Sequence, residues 1–211
     1  MSADGSPAAD AAPELPPYHG IALADVRLVV TAADAAAARA ALLSTDTIGF
    51  DTESKPTFAK GEVSTGPHLI QLATDEHAYL FQIGANPVPN ADVLRDVLEA
   101  RAVLKVGFGL ADDVKRLRSK LGIEIAPVLD LSTALRTPGQ KNALGAKTAV
   151  ARFFGLAMSK SKKITTTNWA MPRLSEKQIL YAADDAHVAL RIYRRWRADQ
   201  SQAAKADGRK A

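Results

Sequence analysis

The chain has 211 residues, 47% apolar and 24% charged, which suits one well-filled globular domain with tails to spare. A net charge of +4 and a pI near 9.3 admit an anionic partner without requiring one. Cysteine is absent, which excludes disulfides, thiolate zinc sites and cysteine nucleophiles; the histidines (His19, His68, His77, His187) show no His-x-x-x-His spacing for a zinc helix.

Residues 1–20, rich in Ala, Pro, Asp and Ser, read as a disordered tail. The opening MSADGSPAADAAPELPP carries acids but no Lys or Arg and no apolar run, unlike a secretory or transit peptide. No stretch of about 18 apolar residues follows, so no transmembrane helix is predicted and a cytoplasmic location is expected. Val26 to Val30 is a β-branched run and a candidate first strand. TAADAAAARAALLST has the Ala/Leu content of a helix. TIGFDTES alternates as a strand, with Ile48 and Phe50 on one face and Gly49, Asp51 and Glu53 on the other. HLIQLAT and HAYLFQI are further strands around a turn at Asp75-Glu76, and the three together predict an antiparallel meander.

The pattern then changes to strand and helix in alternation. NADVLRDVLEA is a helix with Asn90 as N-cap, VLKVGFG a buried strand, LADDVKRLRSKLG a helix closed by Gly122, and APVLDLS a strand. That βαβ order makes the last two strands parallel. Helices over 143–154 and from Ser175 onward complete a single domain at 21–200, with Ser175 and Gln178 forming a capping box. Residues 201–211 read as a second disordered tail.

Three segments carry chemistry. Asp51 and Glu53, two apart on a strand, project from one face, and burying two like charges together calls for a cation. Asp-x-Glu alone also describes a solvated strand end. Tyr181 and Asp185 share a helix face with Val188 and Ile192, which points them inward, while Asp184 lies on a more mixed face with Lys177 and Arg191. Asp113 sits in the first turn of a helix, where the dipole favours acids in any case. Asp112 competes with Asp113, and Asp184 with Asp185; spacing favours the second of each pair.

In this order FDTES, VGFGLADDVKRL and YAADDAHVAL resemble the three motifs of the DEDD exonucleases, and the Tyr four residues before the last Asp resembles the DEDDy branch. LIQLAT and TTTNWAMPRLSEKQILYAADDAHVAL extend the similarity to ribonuclease D and Werner-type exonuclease domains, over about residues 24–197. The resemblance implies an α/β, ribonuclease H-like fold: a mixed five-stranded sheet, three antiparallel strands then two parallel, flanked by helices. It implies a 3′-5′ exonuclease releasing nucleoside 5′-monophosphates from RNA or DNA with a free 3′ end. Asp51, Glu53, Asp113 and Asp185 would then hold two divalent ions, Mg²⁺ or Mn²⁺, and Tyr181 would orient the attacking water. In such a site, ions about 3.5–4 Å apart activate the water and stabilise the leaving oxygen. Asp51 would bridge both ions, Glu53 and Asp185 would serve the nucleophile side, and Asp113 would act through the water shell of the second.

Lys55, Lys60, Lys115, Arg116, Lys160, Lys162 and Lys163 are candidate phosphate contacts, though each taken singly reads more readily as solvated surface. Phe58 is a candidate to stack on a terminal base, or a core residue. No segment is left for the C-terminal helical domain of ribonuclease D proteins, which points to a lone catalytic domain aided by homo-oligomerisation or acting on short strands. The alternative is a non-catalytic nucleic-acid-binding module on the same fold, which would usually have lost one acid. A phosphatase using the same carboxylates is weaker, because the motif order is that of nucleases.

Overall fold

Short apolar and β-branched runs form six strands among the described residues: β1 (Val26–Leu28), β2 (Thr47–Glu53), β3 (Leu69–Ala73), β4 (Ala78–Gln82), β5 (Leu104–Gly107) and β6 (Val128–Asp130). This computed structural model describes residues 14–58, 61–84 and 90–207. One sheet has the order β1-β4-β3-β2-β5-β6. β2, β3 and β4 are antiparallel neighbours, and β5 and β6 add to β2 in parallel, as the sequence predicted.

The sixth strand corrects the expected five. β1 pairs in parallel with β4 through Val26, Arg27 and Leu28. It falls within the run Val26 to Val30 read as a candidate first strand, which the five-stranded expectation did not count.

Seven α-helices accompany the sheet among the described residues: α1 (Ala32–Leu43), α2 (Asn90–Leu98), α3 (Ala111–Arg116), α4 (Leu131–Ala134), α5 (Ala146–Phe154), α6 (Lys162–Thr165) and α7 (Glu176–Asp207). Thr31 caps α1, accepting from the Asp34 N–H while the Asp34 carboxylate accepts from Thr31. α2 begins at Asn90, whose side chain lies outside the described set. The capping box before α7 forms: the Ser175 N–H donates to Gln178 Oε1 at 3.0 Å. α3 is shorter than the predicted helix and widens into a π-type turn at Leu117–Leu121, closed by Gly122 at φ +62°. Among the described residues, no helix is long and apolar enough to cross a membrane.

The alternation in β2 assigns its faces. Ile48 and Phe50 pack into a cluster with Ala38 and Leu42 of α1 and with Leu94 and Leu98 of α2. Gly49, Asp51 and Glu53 face the other way, under α7, which crosses β2, β3, β4 and β5. The α7 residues Ala182, Ala183 and Ala186 are fully buried on that side, and their small side chains let the helix lie close to the strands.

Both expected tails are shorter than predicted. The Tyr18 N–H donates to the Ala157 carbonyl at 2.9 Å, and the Ala157 N–H donates to the Pro16 carbonyl at 2.7 Å. Residues 16–21 are thus seated on the domain; the rest of the predicted tail, 1–13, lies outside the described residues. At the other end α7 continues to Asp207 rather than stopping at 200. Arg, Gln, Ala and Lys carry its exposed last turns with good helix propensity.

Candidate active site

β2 delivers Asp51 and Glu53 to the sheet end beneath α7, α7 delivers Asp185 and Tyr181, and α3, which follows β5, delivers Asp113. Burial, and then the carboxylates of Asp185, Asp113 and Glu53, push Asp51 well above the usual carboxylate range. Burial and Asp185 push Glu53 up to about 8. Mutual repulsion of this kind arises only where the acids share one low-dielectric space. Contacts tie the elements together: Lys160 Nζ stands 2.5 Å from Asp185 and 5.6 Å from the centre of the Tyr181 ring, and Thr52, between Asp51 and Glu53 on β2, bonds Asp113.

Each pair of rival acids separates by burial. Asp112 is exposed, whereas Asp113 is 6% exposed. Thr52, whose side chain alternates away from Asp51 and Glu53, donates its hydroxyl to Asp113 Oδ1, and Arg116 Nη2 donates to the same oxygen at 3.1 Å. Asp185 is buried beside Lys160, whose Nζ stands 2.5 Å from Asp185 Oδ1. Burial raises the Asp185 carboxyl, with Lys160 pulling in the opposite direction.

Asp184 has a different task. Its Oδ1 accepts from the Ile21 N–H and from the Tyr18 hydroxyl, both at 3.3 Å, and Arg191 Nη1 donates to that hydroxyl at 3.2 Å. Gly20 lies so close that a β-carbon there would fall 2.5 Å from Asp184 Oδ1. Asp184 therefore anchors the strap formed by residues 16–21. The strap walls a cavity of about 370 Å³ whose other side is made by Lys160, Lys177, Tyr181 and Asp185. Nothing in the run Tyr-His-Gly-Ile marks it in advance as part of the site.

Supporting contacts fix the remaining elements. The Tyr181 hydroxyl lies 2.9 Å from Thr165 Oγ1, and its ring is 6.1 Å from that of Trp169, centre to centre. Burial and Asp185 raise the Tyr181 phenol, so it stays protonated and able to donate. Asp130 accepts from the N–H groups of Gly109, Leu110 and Ser132 at 2.8–3.0 Å, tying the turn before α3 to β6. Sequence reasoning did not single out Asp130, although an acid at a strand end just before a helix is an N-cap signal. Gln71, opposite Asp51 in the β2–β3 register, is fully buried and its amide has no hydrogen-bond partner among the described residues.

The candidate basic residues fall into two groups. Lys160 and Arg116 face inward on the acids. Lys55, Lys115, Lys162 and Lys163 are exposed, and Lys60 lies outside the described residues. Phe58 is 83% exposed, so the core alternative for it is wrong.

The donor set suits a hard divalent ion, because four carboxylates offer oxygen ligands and their shared charge calls for a cation. Among the described residues no three acidic or imidazole side chains stand arranged to hold one ion. Asp113 is instead turned to Thr52 and Arg116, and Asp185 to Lys160.

A sheet of this order, with a crossing helix and four acids gathered at one end, defines an α/β nuclease-like domain. The model of a 3′-5′ exonuclease domain matches residues 26–198, and the chain belongs to this family. A 3′-5′ exonuclease of Arabidopsis thaliana is 28% identical over 149 residues, 70% of this chain and 51% of its own length. The bifunctional 3′-5′ exonuclease/ATP-dependent helicase WRN of Mus musculus is 28% identical over 152 residues, 71% of this chain but 11% of that protein. The chain thus spans about half, or much less, of these curated relatives. The Nibbler EXO domain of Aedes aegypti superposes with a TM-score of 0.71 at 25% identity, covering 84% of this chain and 90% of that one. Escherichia coli RNase D, at 22% identity, shares the fold with a TM-score of 0.69 over 85% of this chain and 46% of its own.

Proposed function

We propose that this protein hydrolyses the terminal phosphodiester of a nucleic-acid strand from its 3′ end and releases nucleoside 5′-monophosphates. The observation that carries the reading is the gathering of Asp51, Glu53, Asp113 and Asp185 from three separate elements into one self-repelling group, with Asp113 and Asp185 buried and Asp51 and Glu53 half-buried. Family membership supports it.

Asp51, Glu53, Asp113 and Asp185 would hold divalent ions, Mg²⁺ or Mn²⁺. Bound there, the ions supply charge neutralisation of the phosphate and an acidified water. The chain's own groups do the rest. The Tyr181 hydroxyl, held by Thr165, donates toward the water and orients it. Asp130 fixes the turn that carries Asp113, and α7 holds Asp185 above β2. The exposed cations Lys55, Lys115, Lys162 and Lys163 attract the strand's phosphates without reading its sequence. In the reaction the P–O3′ bond breaks and water adds to phosphorus. The proton taken from the water balances the one the leaving 3′ oxygen receives.

The test is a gel assay with matched 5′-labelled RNA and DNA strands, short and long, with Mg²⁺, Mn²⁺ or chelator. A metal-dependent ladder shrinking from the 3′ end, absent in Asp51→Asn, is the expected result, and the strand degraded faster identifies the sugar. Cleavage that survives in folded Asp51→Asn sinks the assignment. No cleavage of any strand favours a binding module on the same fold.

A further inference from the structure

The sequence offers Lys160 as one of several surface cations, yet the fold puts its charge inside the acid group. Nζ lies 2.5 Å from Asp185 Oδ1 and 5.6 Å from the centre of the Tyr181 ring, and only a third of the side chain is exposed. It approaches from the segment between α5 and α6, the far wall of the cavity closed by the strap. On the other side of the group, Arg116 holds Asp113 in the same manner. Among the described residues these are the two cations ion-paired with the four acids.

Four carboxylates crowded in a space of low dielectric destabilise one another unless positive charge is near. Where no ion is bound, that charge has to come from the chain itself, and Lys160 and Arg116 are placed to give it. Lysine suits that task better than arginine. Its ammonium is a compact point charge on a flexible stem, without the planar fork that locks arginine onto a carboxylate. A four-carbon stem rooted in a loop lets the charge leave without moving the backbone.

We propose that Lys160 is the resident cation of the metal-free site: it holds Asp185 in place and competes directly with the divalent ion for that carboxylate. It is a positioning residue, one that makes the site's charge tolerable before metal arrives and is displaced from Asp185 when metal binds. This rests on the metal-dependent reading above. The ion pair with Asp185 and the inability of the acids, as they stand, to hold an ion are then one fact seen from two sides.

The experiment is direct Mn²⁺ binding, followed by the electron paramagnetic resonance of the free ion. It compares the wild-type chain, Lys160→Met, Lys160→Gln, Lys160→Arg and Asp51→Asn, without nucleic acid. Both neutral variants should bind Mn²⁺ at least about tenfold more tightly than the wild type, because a unit charge a few ångströms away is removed as competitor and as repulsion. Lys160→Arg, always charged, should stay within about threefold of it or bind more weakly. The rise in melting temperature on adding Mn²⁺ should be larger in the neutral variants than in the wild type. Equal or weaker Mn²⁺ binding by Lys160→Met and Lys160→Gln overturns the proposal and leaves the metal reading standing; it would mark Lys160 as a plain phosphate contact or a structural residue. A wild type that binds no Mn²⁺, or binds it no better than Asp51→Asn, overturns both.

Discussion

Gly49 and Ala186 approach so closely that a β-carbon on Gly49 would lie 1.9 Å from the Ala186 carbonyl oxygen. The obstacle is backbone, part of the same helix that carries Asp185, so a side chain here cannot be absorbed by a rotamer change. Gly49→Ala should therefore lift α7 from β2, costing about 2–3 kcal/mol as overpacking. Urea unfolding measures the loss, and activity should fall with it because Asp185 moves. A stability change below about 0.5 kcal/mol, typical of a surface substitution, would show that the helix is free to shift.

The rival acids before α7 should part company in a single pair of variants. Asp184→Ala removes the acceptor for Tyr18 and Ile21 and so releases the strap. Chymotrypsin should then cut after Tyr18 much faster than in the wild type, while some metal-dependent cleavage persists. Asp185→Ala should leave the strap protected and abolish turnover. The reverse pattern would exchange the roles assigned to the two residues.

For Asp112 and Asp113 the contrast lies in burial alone. Exposed Asp112→Asn should stay within about twofold of wild-type activity, as surface substitutions usually do. Asp113→Asn should lose about a hundredfold or more, the scale seen when one group stabilising developing charge is removed. Comparable losses in both variants would mean that α3 turns further than its burial shows.

Glu53 sets the pH dependence. Its carboxyl is raised to about 8 from an ordinary 4.5, so in the metal-free fold its contribution to stability is complete below the ordinary value. That contribution is lost as pH rises through about 8. Asp51, raised for the same reasons, acts in the same direction. In chelator the melting temperature should fall between about pH 5.5 and 8.5. Added Mn²⁺ should flatten the trend, and Mn²⁺ affinity should climb over the same range as protons leave the ligands. A chelator profile that is flat, or that rises, contradicts the shared burial of these acids.

Gln71 tests the packing on the neighbouring strand. Its amide is fully buried without a partner among the described residues, which is costly for a polar group. Replacing it with Leu should raise the melting temperature. A fall would reveal that the amide has a partner, for which the facing Asp51 is the nearest candidate by register.

Much of this was legible before the fold was known. The alternation of Ile48 and Phe50 against Gly49, Asp51 and Glu53 is local, and it assigned β2 its two faces correctly. The four-residue spacing of Tyr181 and Asp185 likewise needed only helical geometry. The hidden part consists of contacts between distant segments. The pairing of Lys160 with Asp185 depends on how the connection between α5 and α6 folds back, and the strap's hold on Asp184 joins residues more than 160 positions apart. β1 was visible as the β-branched run Val26 to Val30, but its pairing with β4 joins segments about 50 residues apart and left no local trace.

The docking of α7 across β2 has one consequence for the life of the chain. Asp51, Glu53 and Asp113 are synthesised before Asp185, which arrives with α7. While the nascent chain still lacks α7, the acid-bearing face of the sheet is uncovered and its fourth carboxylate is missing. The acid group is therefore complete only once α7 has docked, so any chemistry that needs all four carboxylates waits for the last helix to fold onto the sheet.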